Sequence, residues 1–307
     1  MNIDVSIIIV NYNTLELTKN TINSVIEKTR DLNYEIILVD NASTDGSIEF
    51  FRKEYKDKII FLRNKENLGF GRANNKGIKI SKGKYIFLLN SDTLLINNAI
   101  KILFDYMEKN KNCGVCGGNL FDLDLNPTHS FLRELPSLKT EINVLKRMIN
   151  KLKVKNNKRK DFNYSNLEKE VGYITGADMM MRKSILDRIG LFDKDFFMYF
   201  EETELTYRIK KLGYKIMSIP TAKIIHLEGK STAFKEKKTK MFLESKYKYL
   251  YKTAGLNSCK LFNFIFKNEL VIKRIIFNRE EDKKIIAINR NVYKEFLLNY
   301  KNLGRKN

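Results

Sequence analysis

The sequence predicts an α/β fold: a mostly parallel sheet with helices on both faces, followed by a helical C-terminal appendage. Three observations lead there. Through the first 120 positions, short runs of β-branched and aromatic residues alternate with helix-length segments. The first, second and fourth of these runs close on clusters of Asn, Asp, Ser or Thr. After position 235 the strand-like runs stop and apolar residues recur at helical spacing. A strand–helix–strand alternation is satisfied by right-handed crossovers onto one sheet. In such sheets ligands sit beyond the carboxyl ends of the strands.

Val5 to Val10 is a β-branched run of the fully buried type, and residues 15–28 then read as a helix. Ile36–Val39 predicts a second strand with a helix over 46–55, and Ile59–Leu62 a third with a helix over 70–81. Tyr85–Leu89 predicts a fourth strand, with a helix near 96–110. Residues 121–170 break the rhythm, and Lys146 to Lys160 holds eight basic residues and no acid. This excursion, about 140–170, reads either as an exposed flap over the site or as a solvated insertion. Order returns at Tyr173. Met179–Met181 predicts a strand, Lys183 starts a helix, 201–212 is another helix, and 214–219 and Ile224–Ile225 are strand-like. Residues 1–234 are expected to form the α/β domain and 235–307 the helical region, which carries 19 basic and 7 acidic residues.

Composition narrows the class. With 307 residues and 43% hydrophobic content, the chain can bury a core and is not expected to be disordered. Three cysteines are too few for a disulfide framework and point to a reducing compartment. No uninterrupted apolar stretch is long enough to span a bilayer, and the N-terminus lacks the basic segment of a signal peptide. A cytoplasmic location is the expectation. The formal charge of +21 attracts polyanions: nucleic acid, anionic lipid or phosphate-bearing substrates. The strand ends carry acids while the excursion and the C-terminal region carry the excess base, which argues against a nucleic-acid function. A basic, aromatic-rich helical region suits an anionic membrane surface, its own domain, or a second copy in a homodimer.

The strand ends hold the candidate chemistry. Val10-Asn11-Tyr12-Asn13-Thr14 lacks the glycines that bring a backbone onto a dinucleotide pyrophosphate, which argues against an NAD or FAD enzyme. Asp40 closes the second strand, where a carboxylate can meet a base or ribose, and Ser43, Thr44 and Asp45 suit helix capping. Gly69, Gly71 and Ala73, with Arg72 among them, would permit close approach of an anion to a helix N-terminus. Leu89-Asn90-Ser91-Asp92 sets a carboxylate just after a buried strand, a position suited to a hard cation bridging phosphate oxygens. Glu201, Glu202 and Glu204 open a helix after the apolar wall Phe196-Phe197-Met198-Tyr199-Phe200. Acids cap helices in any case, but one beside such a wall has its pKa raised toward that of a general base. His226 follows Ile224-Ile225 and is one of two histidines in the chain. It reads as a metal ligand or as a structural histidine.

Val-Asn-Tyr-Asn, Val-Asp-Asn-Ala-Ser-Thr-Asp-Gly, Asn-Leu-Gly-Phe-Gly-Arg-Ala-Asn-Asn, Leu-Asn-Ser-Asp-Thr, Thr-Gly-Ala-Asp-Met-Met-Met-Arg, Phe-Glu-Glu-Thr-Glu-Leu-Thr-Tyr-Arg and His-Leu-Glu-Gly-Lys-Ser occur in that order. Together they resemble glycosyltransferase family 2, the inverting group with the GT-A fold, and within it the bacterial rhamnosyltransferase-like branch. The resemblance covers roughly residues 3–250. It implies a nucleotide-sugar donor, UDP- or dTDP-linked, a glycan or lipid-linked acceptor in surface polysaccharide synthesis, and a divalent cation, Mg or Mn. By that analogy Val10, Tyr12 and Asp40 hold the base and ribose. Gly69, Arg72, Asn74, Asn90 and Ser91 line the nucleotide-sugar pocket. Asp92 and His226 hold the metal, Gly176, Ala177 and Asp178 lie on the acceptor side, and Glu202 or Glu201 is the catalytic base. Asn90 replaces the first acid of the family's D-x-D metal motif, and Glu202 replaces the aspartate of its acidic pair. The competing expectations are a polyanion-binding protein and an inactive scaffold of the same fold.

Overall fold

The structure is a computed structural model, and it describes residues 2–143, 160–227, 235–277 and 281–302. The basic run from Lys146 lies outside the described residues except for Lys160. Four strands build the first half of the sheet: β1 (Val5–Asn11), β2 (Tyr34–Asp40), β3 (Ile60–Arg63) and β4 (Tyr85–Asn90). They pair in parallel in the order β3-β2-β1-β4. The intervening helices are α1 (Leu15–Lys28), α2 (Ser47–Glu54) and α3 (Phe70–Ile80). The second half contains β5 (Thr93–Leu95), α4 (Ala99–Lys109), β6 (Cys113–Phe121), β7 (Phe131–Leu132), β8 (Lys169–Glu170), β9 (Tyr173–Ile174) and β10 (Asp178–Arg182). There follow α5 (Lys183–Ile189), α6 (Glu201–Lys211) and β11 (Lys215–His226). β10 inserts antiparallel between β4 and β6, and β11 runs parallel to β6.

Alternation along the buried strands sorts side chains to the two faces of the sheet. Ile7, Ile9, Leu38 and Phe87 face α1, α2 and α4, packing with Ile22, Val25, Phe51 and Leu103. Ile8, Ile37, Ile86 and Leu88 face α3, α5 and α6, packing with Ala73, Ile78, Ile185 and Leu205. Both faces of these strands are covered, which is why they read as unbroken apolar runs rather than alternating ones.

Two strands differ from the expectation. β6 falls after the helix expected near 96–110, in a stretch for which the sequence pattern predicts no element. Its Cys-Gly-Val-Cys-Gly-Gly start has poor strand propensity, yet each glycine lets a neighbour approach. A Cβ at Gly114 would meet Ile209 and Tyr214, at Gly117 the Ile174 side chain, and at Gly118 the carbonyl of Ala222. The two runs 214–219 and Ile224–Ile225 are one strand, β11, with a register shift between Ser218 and Lys223 that accommodates Pro220.

The C-terminal region is helical: α7 (Lys235–Ala254), α8 (Leu256–Phe277) and α9 (Glu281–Asn299). It shares a hydrophobic cluster with the segment before α6. Phe196 and Phe200 pack with Leu243, Tyr247, Tyr249, Phe262 and Phe296. Ser245 Oγ donates to the Met198 carbonyl at 2.7 Å, and Lys252 bridges Asp193 and Asp195 at 3.0 and 2.5 Å.

Candidate active site at the carboxyl ends of the strands

In the order β3-β2-β1-β4 the chain turns one way from β1 to β2 and the other way to β4. The topological switch point, where open α/β sheets bind ligands, therefore lies between the ends of β1 and β4. A chain of polar contacts joins them there. Asn11 Nδ2 donates to Asp40 Oδ2 at 2.8 Å and to Ser43 Oγ at 3.0 Å. Its Oδ1 accepts from the Thr14 and Thr18 hydroxyls at 2.9 and 2.8 Å. The Thr14 hydroxyl lies 3.2 Å from the Ser91 hydroxyl.

The neighbour of Ser91 is Asp92, whose Oδ1 lies 3.3 Å from His226 Nε2. The Asn90 amide lies 3.2 Å from the same ring nitrogen. His226 reaches this point because the end of β11 pairs antiparallel with β5, setting it opposite Thr93. The Leu227 amide also donates to the Asp92 carbonyl at 2.9 Å. A carboxylate, an imidazole and an amide thus meet at one place, the donor set that suits a divalent cation completed by phosphate oxygens. Among the described residues no group of three or more His, Cys, Asp or Glu side chains is gathered for a metal. The protein donors therefore fit a shared site rather than a closed cage.

Glu201 and Glu202 stand at the start of α6, after two consecutive left-handed residues, Tyr199 (φ 68°) and Phe200 (φ 65°). Non-glycine residues in that region are costly and collect where surrounding packing over-determines them. Here the aromatic cluster with α7–α9 supplies that packing. The Glu204–Arg208 pair fixes the helix itself. Its two contacts are both 2.8 Å, and the guanidinium also donates to the carbonyls of Ile189, Gly190 and Leu191. Glu202 lines a cavity of about 510 Å³ with Tyr173, Tyr199, Phe200, Phe242, Arg133 and Lys246. Burial pushes its carboxyl up to about 7. Glu201 is turned inward: its Cβ lies against Gly71 and its Oε2 is buried without a partner among the described residues. Burial first, and the Glu202 charge second, hold Glu201 well above the usual carboxylate range.

Several expected ligand residues occupy other places. Asp40 is fully buried, and both its oxygens are taken, by Asn11 and by the Ser43 amide at 2.9 Å. It braces two loops, whereas Tyr12, 47% exposed, is the open group beside it. Val10 packs with the core. Gly69 does adopt a left-handed conformation (φ 78°), but the backbone of Phe197 fills its open side and the Phe70 amide donates to the Phe197 carbonyl. The start of α3 is thus covered by the segment leading to α6 instead of lying open to an anion. Arg72 Nε donates to the Leu68 carbonyl, and Asn74 donates to that of Phe70. Gly176 makes room for the Phe70 ring, Ala177 accepts from the Asn90 amide, and Asp178 accepts from the Gly118 amide. Ala177 and Asp178 are buried, so neither presents an open surface to an acceptor. Burial holds Asp178 well above the usual carboxylate range.

Sequence reasoning passed over Asn11, the hub of the network, and Tyr173 in the cavity wall. Asn11 had a usable signal, a polar residue directly after a fully buried strand. Tyr173 had none.

The model of glycosyl transferase family 2 matches residues 6–190. An uncharacterized glycosyltransferase of Rickettsia bellii is 40% identical over 106 residues, 34% of this chain and 15% of that protein. An N-acetylglucosaminyl-diphospho-decaprenol L-rhamnosyltransferase of Mycobacterium tuberculosis is 25% identical over 209 residues, 64% of this chain and 67% of that protein. The chain spans half or less of the length of several curated relatives it matches. The crystal structure of GalNAc-T7 with UDP, GalNAc and Mn2+ matches with TM-score 0.63 at 16% identity, covering 98% of this chain and 57% of that one. That likeness shows the fold, which is GT-A. With the family match extending over more than half its length, the chain belongs to glycosyl transferase family 2.

Proposed function

We propose that the protein transfers a sugar from a nucleoside-diphosphate donor to a hydroxyl of a glycan or lipid-linked acceptor, with inversion at the anomeric carbon. The observation that carries this reading is the polar chain at the switch point, from Asp40 through Asn11 and Thr14 to Ser91, whose sequence neighbour Asp92 meets His226. Tyr12 offers an exposed ring to the base, and the loops braced by Asp40 and Asn11 shape the seat for the ribose and diphosphate. Asp92, His226 and Asn90 would hold a divalent cation, Mg or Mn. Such a cation, when bound, supplies positive charge against the departing diphosphate.

The aromatic side chains around Glu202 fit an acceptor sugar, and of the two glutamates that open α6, Glu202 is the one that lines this cavity. Its carboxylate accepts the proton of the acceptor hydroxyl. That oxygen bonds to the anomeric carbon as the bond from carbon to the diphosphate oxygen breaks, and the electron pair leaves with the nucleoside diphosphate. One displacement of this kind inverts the centre. Glu201 lies beneath, its own carboxyl held well above the usual range by burial and by the Glu202 charge. Holding both substrates in place supplies much of the rate. The three buried thiols, Cys113, Cys116 and Cys259, support a reducing, cytoplasmic setting.

The test is a panel of UDP- and dTDP-linked sugars with Mg or Mn, with nucleoside diphosphate release and product stereochemistry as readouts. Transfer with retained configuration, or release unchanged in Glu202→Gln, overturns the assignment.

A further inference from the structure

α8 has an unusual exposed face. Leu261 (43% exposed), Phe264 (66%), Val271 (38%) and Ile275 (76%) point to solvent, while Phe262, Ile265 and Leu270 of the same helix are buried. At 3.6 residues per turn the four exposed apolar residues form one ridge, with Lys260, Lys267 and Arg274 following its edge in an arc of about 140° overall. All three cations are exposed. No acid shares the face, because Glu269 is buried and paired with Lys273 at 2.6 Å.

Beside the cationic edge runs a groove of about 300 Å³ between α8 and α9, lined in part by Asn263, Lys267, Arg290, Tyr293, Lys294 and Leu297. Lys260, Lys267, Arg274, Arg290 and Lys294 form no ion pair among the described residues. An apolar ridge next to a trench of unneutralised cations has the layering of a bilayer surface, acyl chains beside phosphates. No described helix is long and apolar enough to cross a membrane, so the contact would be lateral.

We propose that this face of α8, with the α8–α9 groove, lies on an anionic phospholipid surface. The ridge enters the acyl boundary and Lys267, Arg290 and Lys294 take the lipid phosphates. Charge selects this occupant over a second copy of the chain: two such faces would bring cation against cation, with no acid to offset them. The inference does not depend on the transfer chemistry, since its readout is binding alone.

The test floats the full-length protein with vesicles of phosphatidylcholine, with and without phosphatidylglycerol. The expected result is flotation with the anionic vesicles, weakened by salt, and little with phosphatidylcholine alone. The double variant Phe264→Asp/Ile275→Asp should stay folded by circular dichroism and lose flotation. Lys267→Gln/Arg274→Gln should weaken it by about fivefold per charge. Should the first variant unfold, the second, confined to exposed side chains, decides alone. No flotation with anionic vesicles, or flotation equal for the parent and the folded variants, overturns the proposal. So does a dimer in sedimentation that Phe264→Asp dissociates, which would assign the ridge to a second copy.

Discussion

Glu202 combines position and acidity. It faces the cavity, and burial brings its pKa to about 7, so the proton-accepting form predominates only above neutrality. kcat/KM should rise along a limb centred near pH 7, read from initial rates across pH. Glu202→Gln should remove that limb and lower turnover by about 10²–10⁴-fold while donor binding survives. The same shift has a stability consequence. The folded pKa exceeds the ordinary 4.5, so the contribution is fully present below 4.5 and is lost as pH rises through 7. Glu202→Gln should escape that loss and gain on the parent by up to about 3 kcal/mol above neutrality, and much less in acid, measured by urea unfolding at both. Asp92→Ala should abolish cation-dependent donor binding in a calorimetric titration, because it removes the carboxylate that lies 3.3 Å from His226 Nε2.

At the scale of elements, the segment from Phe196 to Phe200 decides where the acidic pair stands. The segment is held at Phe197 by Gly69, and its left-handed turn at Tyr199 and Phe200 by the α7–α9 cluster. Gly69→Ala should therefore be severe: the new methyl group collides with the Phe197 backbone, and φ of 78° is itself strained for alanine. A lowered Tm together with lost transfer is the expected outcome, whereas Gly213→Ala, with open space around its Cβ, should only carry the backbone strain. The strand–helix pattern through β4 was legible because periodicity is local. β6 was not, because its glycines have meaning only against Ile209, Ile174 and Ala222, residues far along the chain.

Across the whole molecule, the α/β sheet and the C-terminal helices behave as partners through one aromatic cluster. Phe262 is fully buried there, with its ring 5.3 Å from that of Tyr247. Phe262→Ala should cost about 3–5 kcal/mol, seen as a lower urea midpoint. Slower transfer should accompany it, because the cluster also holds Phe200 beside Glu201. Unaltered kinetics in that destabilised variant would show that the helices do not support the catalytic turn.

Local information was enough for the alternation of strands and helices, for the polar residues that close the first, second and fourth strands, and for the ordered motifs of the family. Each is a matter of neighbours in the chain: side-chain period, turn chemistry, or a carboxylate after an apolar run. Folding decided which polar groups are spent on bracing and which remain open. Asp40 is consumed by Asn11 and Ser43, Gly69 is covered by Phe197, and one oxygen of Asp178 is held by Gly118, while Glu202 is left facing the cavity and Tyr12 facing solvent. The physical reason is that a buried polar atom seeks a partner wherever the chain brings one: Ser43 is near Asp40 in sequence, but Asn11 is 29 positions from Asp40 and Gly118 is 60 from Asp178.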